Sequence, residues 1–324
     1  MKHASVILAA MCLVLAVLVA GCGGSGSGTD NPVAAVQPAT VGDRIVFSSN
    51  RKGVSDVFVM NPNGTLQTDL TSLPSGNDDC HPAFSWDGHY VAFTSNRKGI
   101  YELYVMSPTG TNLRRLTFNA TSQAENLRPA WSPNGAKIAF EQLVFSGMTA
   151  YYSIWTINAN GTGLKRLTNS GYQDQDPTWL PDGSGIVFTS TRQDHAYQIY
   201  RMKADGTAVT RLTFGGSSYA NDDDSPACAP DVSRIAFHSN RKAGGIFTMK
   251  LNGLDLRAVP NTASRGWRAE PSWGPGGSAL VFAGPPALGA SDQIFKINLD
   301  GTGLVRLTKN AASDTSPRWG RAPT

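Results

Sequence analysis

The chain has 324 residues, of which 40% are apolar and 9% aromatic, enough to bury a large core; this excludes an intrinsically disordered chain and a multi-span membrane protein. Charged residues make up 16%, and 28 Lys and Arg against 24 Asp and Glu leave a net charge of +4 with the basic residues scattered singly, so nucleic acid is set aside as a partner. Thirty-four glycines and 19 prolines interrupt every long apolar run after residue 21, which predicts an all-β body.

Lys2 and His3 precede an uncharged apolar stretch that ends in Val19-Ala20-Gly21-Cys22 and passes into a Gly/Ser tract. The segment resembles a bacterial lipoprotein signal; the alternatives are an uncleaved membrane anchor or an ordinary secretory leader. The resemblance implies a signal peptide over 1–21, cleaved ahead of Cys22, whose thiol then carries the lipid. Several acyl chains at about 0.8 kcal/mol per buried methylene hold a protein firmly on a bilayer. Gly23 stands where an Asp retains some lipoproteins at the inner membrane, so the cell envelope outside the cytoplasm, and the outer membrane in particular, is the expected location. Residues 22–43 form a flexible tether that lets the body sit on the order of 25 Å from the lipid. With Cys12 lost and Cys22 acylated, Cys80 and Cys228 remain, and the repeat described next places them too far apart for a bridge.

From residue 44 one pattern returns at a nearly fixed interval. A proline stands two residues before a large side chain in Pro82-Ala-Phe84, Pro129-Ala-Trp131, Pro177-Thr-Trp179, Pro271-Ser-Trp273 and Pro317-Arg-Trp319, with Cys228 in that place after Pro226. A turn such as Trp86-Asp-Gly88 or Pro181-Asp-Gly183 follows, then a short strand such as Val91-Ala-Phe93. A third strand closes on a glycine present in every copy (Gly64, Gly110, Gly161, Gly206, Gly253, Gly301), and a fourth ends in Arg-Leu-Thr in four of them. Four short antiparallel strands cannot cover both faces alone, so the units stack radially. Residues 44–71 lack a first strand and 313–320 supply one. The spacing therefore predicts a six-bladed β-propeller over 44–320, with the N- and C-terminal strands sharing one blade.

Ser132–Phe140, Ser95-Asn-Arg97 and Ala204-Asp-Gly-Thr207 resemble the WD40-like PD40 repeats of the TolB propeller family. The resemblance covers 44–320 and implies a propeller that works by binding other molecules. The family's translocation protein carries an α/β domain ahead of its propeller, where this chain has the tether. Related peptidases add a hydrolase domain, and no Gly-x-Ser-x-Gly nucleophile elbow occurs here.

Trp131, Trp179, Trp273 and Trp319 recur at one strand position and are expected to pack between blades. If first strands line the channel, as in similar propellers, the residue before each proline faces it: His81, Arg128, Asp176, Ser225, Glu270 and Ser316. Of these, His81, Arg128, Asp176 and Glu270 form a mixed-charge ring able to hold a polar ligand or a peptide terminus; the alternative is a solvated funnel. Arg51, Arg97, Arg192 and Arg241 stand opposite Asp79, Asp174, Asp223 and Asp314, and these pairs are expected to tie blade to blade. Loops on that face carry Phe145, Tyr151, Tyr152, Tyr219 and Trp267, the preferred binding surface. The acidic run 221–224 lacks EF-hand spacing and the histidines are dispersed, so neither metal nor cofactor is expected. The sequence thus predicts a monomeric, lipid-anchored, non-catalytic binder of a protein or peptide in the cell envelope. The alternatives are a carbohydrate-active enzyme or a lectin using the channel mouth.

Overall fold

The computed structural model describes residues 42–72, 76–119, 124–146, 149–169, 171–193, 195–214, 222–241, 243–263 and 270–321. The signal and most of the tether, with Cys22, lie outside them, as do Tyr219 and Trp267. Among the described residues no helix is long and apolar enough to cross a membrane.

The first blade holds β1 (Arg44–Ser49), β2 (Asp56–Met60) and β3 (Thr68–Asp69); the second holds β4 (Asp79–Phe84), β5 (Val91–Ser95), β6 (Glu102–Met106) and β7 (Arg114–Arg115). The third has β8 (Ala124–Trp131), β9 (Lys137–Ser146), β10 (Thr149–Asn158) and β11 (Lys165–Arg166). The fourth has β12 (Asp174–Trp179), β13 (Gly185–Ser190), β14 (Gln198–Lys203) and β15 (Thr210–Arg211). In the fifth are β16 (Asp223–Cys228), β17 (Arg234–Ser239), β18 (Gly245–Lys250) and β19 (Arg257–Ala258). The sixth has β20 (Ser272–Trp273), β21 (Ala279–Gly284), β22 (Gln293–Asn298) and β23 (Val305–Arg306), and β24 (Asp314–Gly320) returns to pair antiparallel with β1. Six four-stranded sheets in ring order, one closed by the tail, make the expected six-bladed propeller.

Six apolar clusters fill the six seams between neighbouring blades. Trp131 packs on Ala83 and Ala92 of the second blade, Trp179 on Ala139 and Ile154 of the third, Trp273 on Ala236 and Ile246 of the fifth, and Trp319 on Val281 and Ile294 of the sixth. Phe84 fills the same place on Val46 and Val57 of the first blade, and the smaller Cys228 lies against Val187 and Ile199 of the fourth. Cys228 is a free thiol, so it is not bridged to Cys80.

The Arg-Leu-Thr motif has a local cause. The fourth strands are two residues long, and the threonine hydroxyl extends each ladder by accepting a third-strand N–H, as Thr117 does from Leu103 at 2.9 Å and Thr308 from Ile294 at 3.0 Å. The arginine folds back to donate to that threonine's carbonyl, Arg115 at 2.7 Å and Arg306 at 2.7 Å. The glycine of each third-to-fourth-strand turn has positive φ and also abuts the preceding blade. A Cβ on Gly110 would lie 2.6 Å from the Leu70 carbonyl oxygen, so no other residue fits.

The four arginine–aspartate pairs form, but inside each blade and not between blades. Arg97 meets Asp79 at 2.7 Å, Arg192 meets Asp174 at 2.8 Å, Arg51 meets Asp314 at 3.0 Å, and Arg241 meets Asp223. The reason is register: Asp79 is the cross-strand partner of Ser95, which puts Arg97, two residues further on, directly over it. Each guanidinium also takes a serine hydroxyl and lies on aromatic faces, Arg97 on Phe93 and Tyr104. Removing Arg97 leaves a buried carboxylate unpaired, so Arg97→Ala is expected to lower stability by about 3 kcal/mol in urea unfolding. Arg257→Ala, which removes an exposed partner of Asp255, should leave the midpoint unchanged.

Candidate functional site

In five of the six blades the first strand carries a bulge where the residue before proline is extruded; in the sixth, β20 starts after Pro271 and no bulge forms among the described residues. The ladder register shifts between Cys80 and Ala83, Leu127 and Ala130, Gln175 and Thr178, and Asp224 and Ala227. His81, Arg128, Asp176, Ser225 and Ser316 all take φ between 51° and 53°. Proline has no N–H to contribute to the ladder, so the bulge forms there at little cost in hydrogen bonds. The strain of left-handed backbone at five non-glycine positions turns their side chains toward the axis.

The bulged amides are satisfied by the neighbouring blade. His81 N–H donates to the Ser48 hydroxyl at 3.0 Å, and Asp176 N–H donates to Glu141 Oε2 at 2.8 Å. Arg128 reaches across the axis: its Nη1 lies 2.9 Å from Asp176 Oδ1 and 2.8 Å from Glu270 Oε1, and its Nε lies 3.5 Å from Glu141 Oε1. Thr189 donates to the other Asp176 oxygen at 3.2 Å. Three of the four predicted ring residues thus meet in one ion cluster, with Arg128 holding three carboxylates. The mixed-charge ring expected to hold a ligand is a self-paired plug on the axis, because opposite charges brought out of water pair with one another before they pair with a ligand.

Burial alone would raise the Glu270 carboxyl, but Arg128 first, then His81, Arg318 and the Ser316 hydroxyl, outweigh it and hold it at about 2. Burial pushes the His81 imidazole down to about 3; Arg128 and Arg318 push the same way and Glu270 opposes them. His81 Nδ1 and Glu270 Oε2 are buried without a hydrogen-bond partner. The folded state keeps His81 neutral while the unfolded chain binds a proton below about pH 6.5, so this histidine removes stability as pH falls from there toward 3. His81→Gln should therefore gain on the wild type by about 3 kcal/mol between pH 7 and pH 4, measured by urea unfolding at both.

The face on which fourth strands run into first strands bears the aromatic residues. Phe118 and Phe214, directly after Arg-Leu-Thr in the second and fourth blades, are 73% and 74% exposed. Each lies against an arginine of its own motif, Arg115 at 4.7 Å and Arg211 at 5.0 Å from the ring centroid. Between them the third blade extends beyond its neighbours, because β9 and β10 run ten residues each where other blades use five or six. The predicted insertion over 141–152 is therefore mostly a continued hairpin. Phe145 is 37% exposed on it and Tyr151 half-buried, but Tyr152 is buried and belongs to the core, so it is withdrawn as a contact residue. Alternation along β10 decides this, turning neighbouring side chains to opposite faces.

Sequence reasoning missed Arg318. The other first strands carry Ala83, Ala130, Thr178, Ala227 or Ser272 between proline and the large side chain, and a lone arginine in that series was the available signal. Among the described residues no three His, Cys, Asp or Glu converge as a metal-ligand set.

A closed ring of six four-stranded antiparallel blades, with paired charges on its axis and aromatics on one face, defines a six-bladed β-propeller. Residues 31–143 and 119–263 match PD40, the TolB beta propeller domain, and the chain belongs to that family. It is 30% identical over 152 residues to an uncharacterized protein of Agrobacterium fabrum, covering 47% of this chain and 48% of that one. It is 31% identical over 87 residues to an uncharacterized peptidase of Bacillus subtilis, covering 26% of this chain and 13% of the peptidase. The chain thus matches about half the length of the first relative and far less of the second. Among solved structures, TolB from Acinetobacter baumannii superposes with TM-score 0.71 at 21% identity, over 86% of this chain and 67% of that one. Oligogalacturonate lyase in complex with manganese superposes with TM-score 0.58 at 13% identity, over 81% and 73%. At these identities the superpositions show the shared fold.

Proposed function

We propose that the protein is a non-catalytic, lipid-anchored scaffold that binds a protein partner in the bacterial cell envelope through the face carrying Phe118, Phe145, Tyr151 and Phe214. The observation that carries this reading is the pair of exposed phenylalanines at equivalent exits of two blades, each backed by a guanidinium, on either side of the lengthened hairpin. Aromatic anchors on a rigid frame meet a partner with little ordering entropy to lose. The likeness to TolB supports the same reading. An enzyme at the channel mouth is less favoured, because Arg128 occupies the carboxylates that would otherwise be open to a cation or a sugar.

Crosslinking in intact cells, followed by purification from envelope fractions, tests the reading by comparing wild type with a Phe118→Ser, Phe214→Ser double variant. Loss of the major crosslinked species while the melting temperature is unchanged is expected; an unchanged crosslinking pattern removes this surface. The anchor has its own test. Cys22→Ser is expected to move the protein from the membrane pellet to the soluble fraction, and continued sedimentation refutes acylation.

A further inference from the structure

Below the ion plug, toward the turns that join first to second strands, the axis opens into a second chamber of about 160 Å³, walled by all six blades. Its chemistry differs from that of the plug. Arg318 and Arg321 line it and no Asp or Glu does. Among the described residues no carboxylate lies within ion-pair distance of Arg318, whose one hydrogen bond goes to the carbonyl of Pro317 at 3.1 Å. Burial pulls its guanidinium below the ordinary value, and the pull of Glu270 and Asp176 from the plug above does not compensate. Two further donors are unused: the indole N–H groups of Trp131 and Trp319 are buried without an acceptor, whereas those of Trp179 and Trp273 donate to carbonyls at 3.2 and 2.9 Å. The remaining wall is proline and aromatic surface, and Cys228, in place of a tryptophan, adds room.

A half-buried cation that makes no ion pair, set among apolar walls around one cavity, matches a ligand that is anionic at one end and apolar at the other. The volume fits one ring, since a dry cavity of about 150 Å³ accepts benzene. We propose that this chamber binds a carboxylate with a small aromatic or apolar body, its carboxylate held by Arg318. The site lies at the opposite end of the channel from the aromatic face and does not depend on the partner proposed there. Such a carboxylate belongs either to a free organic acid or to the C-terminus of a chain ending in an aromatic residue.

The test titrates the full propeller with benzoate and with its neutral isostere benzamide, following the tryptophan indole N–H resonances by NMR. Saturable shifts of the indole resonances of the chamber-lining tryptophans are expected with benzoate, with benzamide at least about tenfold weaker. Arg318→Gln should weaken benzoate by at least about tenfold, and Ala227→Leu, which fills the chamber without touching a charge, should abolish binding even if the arginine variant folds poorly. The tripeptide Gly-Gly-Phe, compared with its C-terminal amide, separates the sources. Tighter binding of the free tripeptide than of benzoate assigns a chain terminus, and the reverse assigns a free acid. Equal binding of benzoate and benzamide, unchanged affinity in Arg318→Gln or Ala227→Leu, or indole resonances unmoved by millimolar benzoate would overturn the proposal.

Discussion

A chain ending at Ser313 is expected to lose its folded state altogether. The missing β24 is the partner of β1 from Arg44 to Ser49, so its loss leaves the buried β1 without the inner strand that every other blade has. It also removes Trp319 from the seam between the sixth and first blades, a loss of about 3–5 kcal/mol by itself. Asp314 goes too, leaving Arg51 without its carboxylate at about the same further cost. Together these reach the whole stability of an ordinary domain, about 5–15 kcal/mol. Circular dichroism should show no cooperative melt for that truncation, while a chain ending at Arg321 should melt like the full one. A truncation at Ser313 that melts within a few degrees of the full chain would mean the ring does not need its clasp.

Replacing Arg128 by methionine is expected to be the most damaging single substitution on the axis, at about 4–5 kcal/mol near pH 7. It leaves Asp176, Glu270 and Glu141 close together without the guanidinium that meets all three. The cost should depend on pH in a defined direction. In the wild type the Glu270 carboxyl is held at about 2, below its unfolded value of 4.5, so its contribution is complete above about pH 4.5 and is lost as pH falls toward 2. Without Arg128, the strongest of the charges that lower Glu270, most of that contribution is absent at every pH. The gap between variant and wild type should therefore be widest at pH 7 and narrow steadily below pH 4.5. Urea unfolding at pH 7, 5 and 3.5 measures it, and a gap that does not vary with pH would mean that Arg128 acts by packing alone.

Much of this was readable in the chain. The proline that starts each repeat, the glycine of each third-to-fourth-strand turn and the tail that completes the first blade are local or strictly periodic features, and each has a hydrogen-bonding reason near its own position. The placement of most ring residues was readable too, since five of the six copies have a bulge in the same place. Their pairing was not. Arg128 and Glu270 are 142 positions apart, and only the diameter of the closed ring brings them within 2.8 Å. The arginine–aspartate pairs were assigned to the right residues but to the wrong seam, because register within a sheet put them closer than any neighbouring blade could.

Sequence alone determined the number of blades, their four strands and the way the circle closes, since hydrophobic alternation and turn chemistry repeat with fixed phase along the chain. Tertiary structure alone decided that the axial charges neutralise one another, that Tyr152 faces the core while Phe118 and Phe214 face outward, and that Arg318 reaches a chamber without a carboxylate. Those outcomes depend on distances across the ring and on which side of a strand meets protein, and neither quantity is carried by residue order.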